Sequence, residues 1–137
     1  MVEKLEIGRA HTVEITVTKE LTADAYGNPG VFVYATPALI HLVEMTAFAC
    51  LAATLEGEQG SLGIRLDVRH LAATPLGMKV RCTAVLTEID RRRLVFTIEA
   101  YDEQEQIASG THERFVIDSV AKFVEKANAK LGSATHL

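Results

Sequence analysis

The chain has 137 residues, of which 48% are hydrophobic and 23% are charged, and its formal net charge is −4 at pH 7. A chain of this length buries roughly two-thirds of its unfolded surface, and its composition excludes a disordered protein. We therefore expect one globular domain over residues 1–137. The acidic balance argues against a nucleic-acid binder that acts through a general basic field.

The cysteines and the apolar runs predict a cytoplasmic protein. Cys50 and Cys82 lie in apolar stretches without a C-x-x-C motif, so we expect them to be buried and unpaired. The N-terminal residues are polar and mixed in charge, unlike a signal peptide. His41 and Glu44 interrupt the longest apolar run, residues 38–55, which makes it a poor membrane span. We expect neither a membrane nor a nucleic acid as a partner.

The first predicted strand covers residues 11–18, where Val13, Ile15 and Val17 alternate with polar residues. Residues 21–30 contain glycine, asparagine and proline in close succession, which predicts a loop.

A long helix is predicted from Thr36 to about Leu55. Thr36 is a suitable N-cap residue, and Pro37 follows at the first helical position, where its missing N–H costs nothing. Apolar residues occupy nearly every face of this segment, so we expect the helix to be buried around most of its circumference.

The second half of the chain predicts four strands and a helix. The strands are expected near residues 62–70, 78–87, 94–100 and 106–117, and the helix over residues 118–131. Short turns between successive strands imply an antiparallel sheet, which must cover the long helix. This order is typical of an α+β hotdog fold, in which an antiparallel sheet wraps around one long central helix. One such layer leaves apolar edges or faces exposed, so we expect at least a dimer.

Two ionisable residues, His41 and Glu44, interrupt the apolar helix. They are three residues apart and so lie on neighbouring positions of one face. A buried carboxylate needs hydrogen-bond donors or a proton. Glu44 is therefore either a structural group paired with an arginine or a backbone N–H, or a general base that positions water. For His41 we favour a satisfied polar group at the helix margin or at a subunit contact.

His70 and Thr36 are the next candidates. Leu62, Ile64, Leu66 and Val68 alternate with Gly63 and three charged residues, and His70 continues the apolar parity. It is therefore expected to point to the inner face of the sheet, near the strand end. It is either a hydrogen-bonded core residue or a functional group that faces the helix bearing Glu44. The Thr36 hydroxyl either caps the helix or orients a substrate or a water molecule.

The segment 109–114 is unusually polar for a half-buried strand. Within it, Arg114 is predicted to bind an anion or to neutralise Glu44 or Glu113. Gly63 either eases a close approach of the backbone or leaves an N–H free for an oxyanion.

Other site types have little support. The five histidines show no metal-ligand spacing, and the chain has no G-x-S-x-G motif, no phosphate-binding glycine loop and no dinucleotide fingerprint. We therefore expect no metal and no cofactor. The run from Arg91 to Arg93 is a predicted hairpin tip, where solvated charge is the usual interpretation and docking of a nucleotide 3′-phosphate is the alternative.

Four motifs in this order resemble the fluoroacetyl-CoA thioesterase group of hotdog proteins over roughly residues 5–130. They are Tyr34-Ala35-Thr36 with Glu44 eight residues on, Gly60-Ser61-Leu62-Gly63, the segment 68–75 (VRHLAATP) and the segment 109–114 (SGTHER). Each motif alone is weak, but their order and spacing are specific.

The resemblance implies a homodimeric acyl-CoA thioesterase, a hydrolase with its active site at the subunit interface. The family's catalytic residues match Thr36, Glu44 and His70, and its substrate-contacting residues match Gly63 and Arg114. Glu44 would activate water or attack the thioester carbonyl itself, and the sequence leaves both routes open. It also leaves open whether dimers pair into tetramers and which acyl group is natural.

One segment departs from the family pattern. The family has an aromatic-rich segment ahead of its catalytic threonine, whereas this chain has Tyr-Gly-Asn-Pro-Gly at residues 26–30. We therefore expect hydrolysis of a short or small acyl-CoA without selectivity for the fluorinated acyl group. Two alternatives remain: a hotdog hydratase or dehydratase acting on acyl thioesters, and a non-catalytic acyl-CoA-binding protein.

Overall fold

The computed structural model of the protein describes residues 2–134. Residue 1 and residues 135–137, the two ends of the domain predicted over residues 1–137, lie outside the described residues. The strands are β1 (Ala10–Thr16), β2 (Gly60–His70), β3 (Lys79–Asp90), β4 (Arg93–Asp102) and β5 (Gln106–Ile117). The helices are α1 (Thr36–Ala52) and α2 (Val120–Ala134), and two short 3-10 turns, Lys19–Leu21 and Ala23–Tyr26, lie between β1 and α1.

The strands form one antiparallel five-stranded sheet in the order β1-β3-β4-β5-β2. This arrangement confirms the predicted α+β hotdog fold, including the long helix against the sheet. Because β2 pairs only with β5, it lies at an edge of the sheet within the chain.

The core lies between α1 and the inner face of the sheet. The helix contributes the buried residues Ala38, Leu39, Leu42, Val43, Thr46, Ala47, Cys50 and Leu51. Phe96 and Ile98 of β4 are among the fully buried residues opposite them. Cys50 and Cys82 are buried free thiols, as predicted, and burial raises the pKa of each.

The start of α1 differs from the sequence prediction. Ala35 occupies the N-cap position, and Thr36 and Pro37 are already helical. The prediction that Thr36 caps the helix was therefore wrong. The physical reason is that the Thr36 hydroxyl is committed elsewhere, because it forms a hydrogen bond with a histidine of β2.

The burial of α1 is also narrower than predicted. Met45 and Phe48 are 47% and 43% exposed, and His41 and Ala52 continue the same exposed stripe at helical spacing. His41 thus lies on the outer margin of the helix. One face of α1 is covered by the sheet, and the opposite, mostly apolar stripe is left uncovered by the residues that the structure describes.

Strand β2 contains an irregularity that matters for the site. Its register with β5 shifts between Gly63 and Arg65, which marks a β-bulge at Ile64. Gly63 and His70 are seven residues apart, an odd spacing that would place them on opposite faces of a regular strand. The bulge changes the parity, so both residues face α1. The prediction that Leu62 through Val68 alternate without interruption was wrong for this reason.

The tail forms the second helix, as predicted. Its apolar residues Val120, Phe123, Val124 and Leu131 are 44–69% exposed. Among the helices described over residues 2–134, none is both long and apolar enough to cross a membrane.

Candidate active site

Thr36 and His70 form one half of the site, at the N-terminal end of α1. The Thr36 Oγ1 atom lies 2.8 Å from His70 Nδ1, which is within hydrogen-bonding distance. The ring of Tyr34 meets the imidazole edge-on, with centroids 6.4 Å apart. These contacts fix the orientation of the imidazole at the end of β2.

The other ring nitrogen of His70 is the distinctive atom of this pair. Its Nε2 is buried and has no hydrogen-bond partner within the described part of the chain. Burial lowers the pKa of His70, and a backbone contact with Ala72 opposes this effect only in part. The imidazole is therefore neutral near pH 7, and one of its nitrogens is available to accept or donate a proton.

A pocket opens beside this pair. It has a volume of about 390 Å³ and is lined by Thr36, His70, the residues that follow His70 and the loop that precedes α1. From this loop, Asn28 and Val31 line the pocket. An acyl group in this pocket would lie against Thr36 and His70.

Glu44 belongs to a second group, two turns further along α1. A Cβ atom built on Gly63 would lie 3.0 Å from Glu44 Oε1 and 3.0 Å from His112 Cε1. The absence of a side chain at Gly63 thus lets the half-buried carboxylate and the imidazole approach the backbone of β2. Glycine at this position serves a close approach, which is one of the two interpretations that the sequence left open.

Arg114 is the cation of this second group and is only 5% exposed. Its Nε donates to Ser61 Oγ at 2.9 Å, and its Nη2 donates to the Ser61 carbonyl at 3.0 Å. Its Nη1 lies 3.2 Å from His112 Nε2, and the guanidinium carbon is 5.8 Å from the centre of the Phe48 ring. Burial lowers the pKa of Arg114, and the nearby Glu44 carboxylate opposes that change.

The predicted link between Arg114 and Glu113 is wrong. The Glu113 carboxylate instead accepts a hydrogen bond from Arg93 Nε at 2.8 Å and lies 3.4 Å from Arg65 Nη1. Successive strand residues point to opposite faces of the sheet, so Arg114 faces α1 while Glu113 faces away from it. Its arginine partners hold the pKa of Glu113 below the usual range.

The arginines of the β3–β4 turn are mostly committed to carboxylates. Arg92 forms a bidentate salt bridge with Asp118, in which Nη1 and Nη2 donate to the two carboxylate oxygens at 2.7 and 2.9 Å. Arg93 donates to the carboxylates of Glu88 and Glu113. Arg91 stands at the exposed tip with a positive φ of 57°. This arrangement favours solvated turn charge over the docking of a phosphate.

The structure therefore brings the sequence-predicted residues together in two sets. Thr36 lies with His70, and Glu44 lies with Gly63 and Arg114. His112 and Ser61 were not singled out from the sequence, although His112 lies within the polar segment that drew attention to β5. Within residues 2–134, no group of three or more histidine, cysteine or acidic side chains is placed to hold a metal ion.

Comparisons with known proteins agree with this fold. A family model described as FlK, fluoroacetyl-CoA-specific thioesterase, matches residues 17–120. The fluoroacetyl-CoA thioesterase of Streptantibioticus cattleyicolor is 42% identical over 103 residues, which is 75% of this chain and 70% of that protein.

Two solved structures extend the comparison to the fold. A mutant of the fluoroacetyl-CoA-specific thioesterase, in complex with fluoroacetate and CoA, is 34% identical with a TM-score of 0.78, covering 87% of this chain and 99% of that one. A hypothetical Thermus thermophilus protein of the thioesterase superfamily is 28% identical with a TM-score of 0.85, covering 98% of each chain. The chain thus belongs to the fluoroacetyl-CoA-specific thioesterase family and is a thioester hydrolase with the hotdog fold.

Proposed function

We propose that this protein hydrolyses an acyl-CoA thioester to a free acid and CoA, at a site shared between two subunits of a homodimer. In this proposal Thr36 and His70 of one subunit act together with Glu44, Gly63 and Arg114 of the partner subunit. The observation that carries it is the separation of these residues into two groups within a single chain.

The separation follows from helix geometry. Thr36 and Glu44 are eight residues apart on α1, which corresponds to about 12 Å along the helix axis. Reacting groups must come within about 3–3.5 Å of the substrate atoms they act on. One thioester carbonyl cannot meet both residues of the same chain, so a complete site needs a second copy.

The edge strand β2 offers a way to bring the two groups together. Its outward edge pairs with no strand among residues 2–134, and Ile64 and Leu66 are 49% and 38% exposed. If two copies pair antiparallel along β2, each residue meets its counterpart across a twofold axis. An axis at Asp67, near the middle of the strand, would place Gly63 of one subunit beside His70 of its partner, because the bulged Ile64 is left out of the pairing.

The exposed stripe of α1 supports the same assembly. Met45 and Phe48 lie on the same helix as Glu44, and both are more than 40% exposed in the single chain. Apolar side chains beside an open strand edge are typical of a surface that a second subunit covers.

The chemistry then divides among the residues as follows. The Glu44 carboxylate either removes a proton from water, which adds to the thioester carbonyl, or attacks that carbon and forms an anhydride that water opens. In both routes the C–S bond breaks and the CoA sulfur leaves with a proton. Thr36 orients the His70 ring, whose Nε2 assists this proton transfer, and Arg114 holds a carbonyl or anionic part of the ligand.

The loop beside the pocket supports a broad acyl selectivity. Gly27 and Gly30 have φ values of +94° and +81°, and the Gly30 N–H donates to Asp24 Oδ1 at 2.9 Å. A bulky aromatic residue adopts such backbone angles only with strain. The turn therefore favours glycine over an aromatic lid at these two positions, so we expect fluoroacetyl-CoA to be hydrolysed without strong preference over acetyl-CoA.

The location and extent of the protein are part of the proposal. The two free buried cysteines suit a reducing compartment, which supports a cytoplasmic enzyme. A single sheet and one core cluster across the described residues support one domain over residues 1–137.

The experiment that tests this function is thiol release from a panel of short, branched, aromatic and fluorinated acyl-CoAs. We expect release from several of the short esters, with comparable rates for acetyl-CoA and fluoroacetyl-CoA. Strong rejection of acetyl-CoA would contradict the broad selectivity. Loss of the enoyl absorbance of crotonyl-CoA without thiol release would indicate a hydratase, and saturable binding without any turnover would indicate a binding protein.

A further inference from the structure

We propose that His112 is a positioning residue that holds the Arg114 guanidinium in its substrate-binding orientation. This inference rests on the proposed function, in which Arg114 contacts the ligand. His112 is fully buried on the face of β5 that packs toward α1, and its ring lies beside Phe96, with centroids 6.5 Å apart. At this depth its ring serves the site through neighbours rather than by touching the substrate.

The two ring nitrogens of His112 have different partners, which assigns the tautomer. Nδ1 lies 2.9 Å from the carbonyl oxygen of Arg65, an atom that only accepts, so Nδ1 carries the hydrogen. Nε2 therefore presents a lone pair, and it faces Arg114 Nη1 at 3.2 Å. The neutral imidazole accepts a hydrogen bond from the guanidinium, which a protonated ring could not do.

The groups around His112 favour this neutral state. Burial is the largest influence and lowers the pKa of His112. The hydrogen bond to the Arg65 carbonyl opposes it, the Arg114 charge lowers the pKa further, and Glu44 of α1 and Glu113 oppose these effects least. The ring remains uncharged near pH 7 and keeps its lone pair for Arg114.

His112 accepts the third hydrogen bond that holds the Arg114 guanidinium in place. Ser61 accepts from Nε and Nη2, and His112 accepts from Nη1. A guanidinium has five N–H donors, so three hydrogen bonds hold its plane and two donors remain for a ligand. Without His112 the guanidinium would keep only its contacts on the Ser61 side and could rotate away from the thioester.

The Arg65 contact suggests a competing, purely structural role. The hydrogen bond from His112 Nδ1 ties β5 to the backbone of β2 immediately after the bulge. Two substitutions separate the roles. An asparagine reaches the position of Nδ1 and can donate to the Arg65 carbonyl but is too short to reach Arg114, whereas the carbonyl oxygen of a glutamine reaches the position of Nε2.

The test compares His112→Asn with His112→Gln in the full-length protein, using steady-state thiol release from the best ester of the panel. Positioning of Arg114 predicts that KM rises about tenfold in His112→Asn and stays within about threefold of wild type in His112→Gln. Equal losses in both variants, or a larger loss in His112→Gln, would overturn the inference.

Coupling to Arg114 provides the second readout. Arg114→Gln alone should raise KM, and adding His112→Asn to it should cause little further change, because the two substitutions remove the same interaction. Fully additive effects would overturn the inference. If wild type releases no thiol, or if Arg114→Gln leaves KM unchanged, it is the proposed function that fails.

A measurement on wild type covers the case in which the variants do not fold. In nitrogen-15 histidine spectra at pH 7, we expect His112 to show a neutral ring with the hydrogen on Nδ1. A ring protonated on Nε2 would overturn the inference.

Discussion

The two halves of the site lie on the same helix but are held in different ways. At the start of α1, the exposed Thr36 depends on one hydrogen bond to His70, beside an open pocket. Two turns later, Glu44 is half-buried beside the almost fully buried Arg114 and His112. The first half has room to receive a substrate, and the second half is a fixed arrangement of charge. In the proposed mechanism a second subunit brings the two halves together at one thioester.

The largest expected effect comes from the half of the site that contains Glu44 and Arg114. Glu44→Gln keeps the side-chain shape and removes the base, so kcat in a thiol-release assay should fall at least about a hundredfold while the melting temperature changes little. His41→Gln is the matched control, because His41 lies on the same helix, on its exposed margin and outside the proposed set of catalytic and substrate-binding residues. Its activity should be unchanged. Equal rates for Glu44→Gln and wild type would remove Glu44 from the mechanism.

A smaller loss of activity is expected from substitutions in the half of the site that contains Thr36 and His70. Thr36→Val retains the branched shape but loses the hydroxyl that orients His70, so kcat/KM should fall about tenfold. Because Thr36 does not cap α1, the free energy of unfolding should change by less than about 0.5 kcal/mol. Thr36→Ser, which keeps the hydroxyl, is the control. Unchanged kinetics combined with a large loss of stability would return Thr36 to a structural role.

Gly63→Ala tests how closely Glu44 and His112 pack against the backbone of β2. The added methyl group would lie 3.0 Å from Glu44 Oε1 and from His112 Cε1, which is closer than ordinary contact. Displacement of the carboxylate should lower kcat several-fold, and overpacking should cost about 1–3 kcal/mol of stability by chemical denaturation. In a Glu44→Gln background the same substitution should cause no further loss of kcat. Wild-type activity in Gly63→Ala would show that the position tolerates a side chain.

The smallest expected effect is the change in the free energy of unfolding with pH. The pKa values of His70 and His112 are both lowered from 6.5 in the folded protein, so the unfolded chain binds more protons than the folded one just below pH 6.5. The free energy of unfolding should therefore be highest above pH 6.5 and should fall as the pH drops toward the folded pKa values. Urea titrations of wild type should show this slope, and His112→Gln should reduce it. An identical slope in both proteins would mean that His112 titrates normally.

Much of this arrangement could be predicted from the sequence. Alternation located the strands, and the lone carboxylate in an apolar helix identified Glu44, because both signals depend on local spacing. The bulge at Ile64 left no trace in the alternation, so Gly63 was placed on the wrong parity relative to His70. Thr36 had the residue type of an N-cap, but a long-range hydrogen bond to β2 took its hydroxyl. The role of His112 depends on partners from two strands, which no local pattern contains.

Subunit complementation tests the central claim most directly. Thr36→Val and Glu44→Gln chains carrying different affinity tags would be co-expressed, and the mixed dimers isolated by both tags and assayed for thiol release. A site shared between subunits predicts that each mixed dimer keeps one intact site, with about half of the wild-type activity per dimer, because the two substitutions fall together in the other site. Activity no higher than that of the two parent variants, or a failure to recover any mixed dimer, would contradict a site built from two chains.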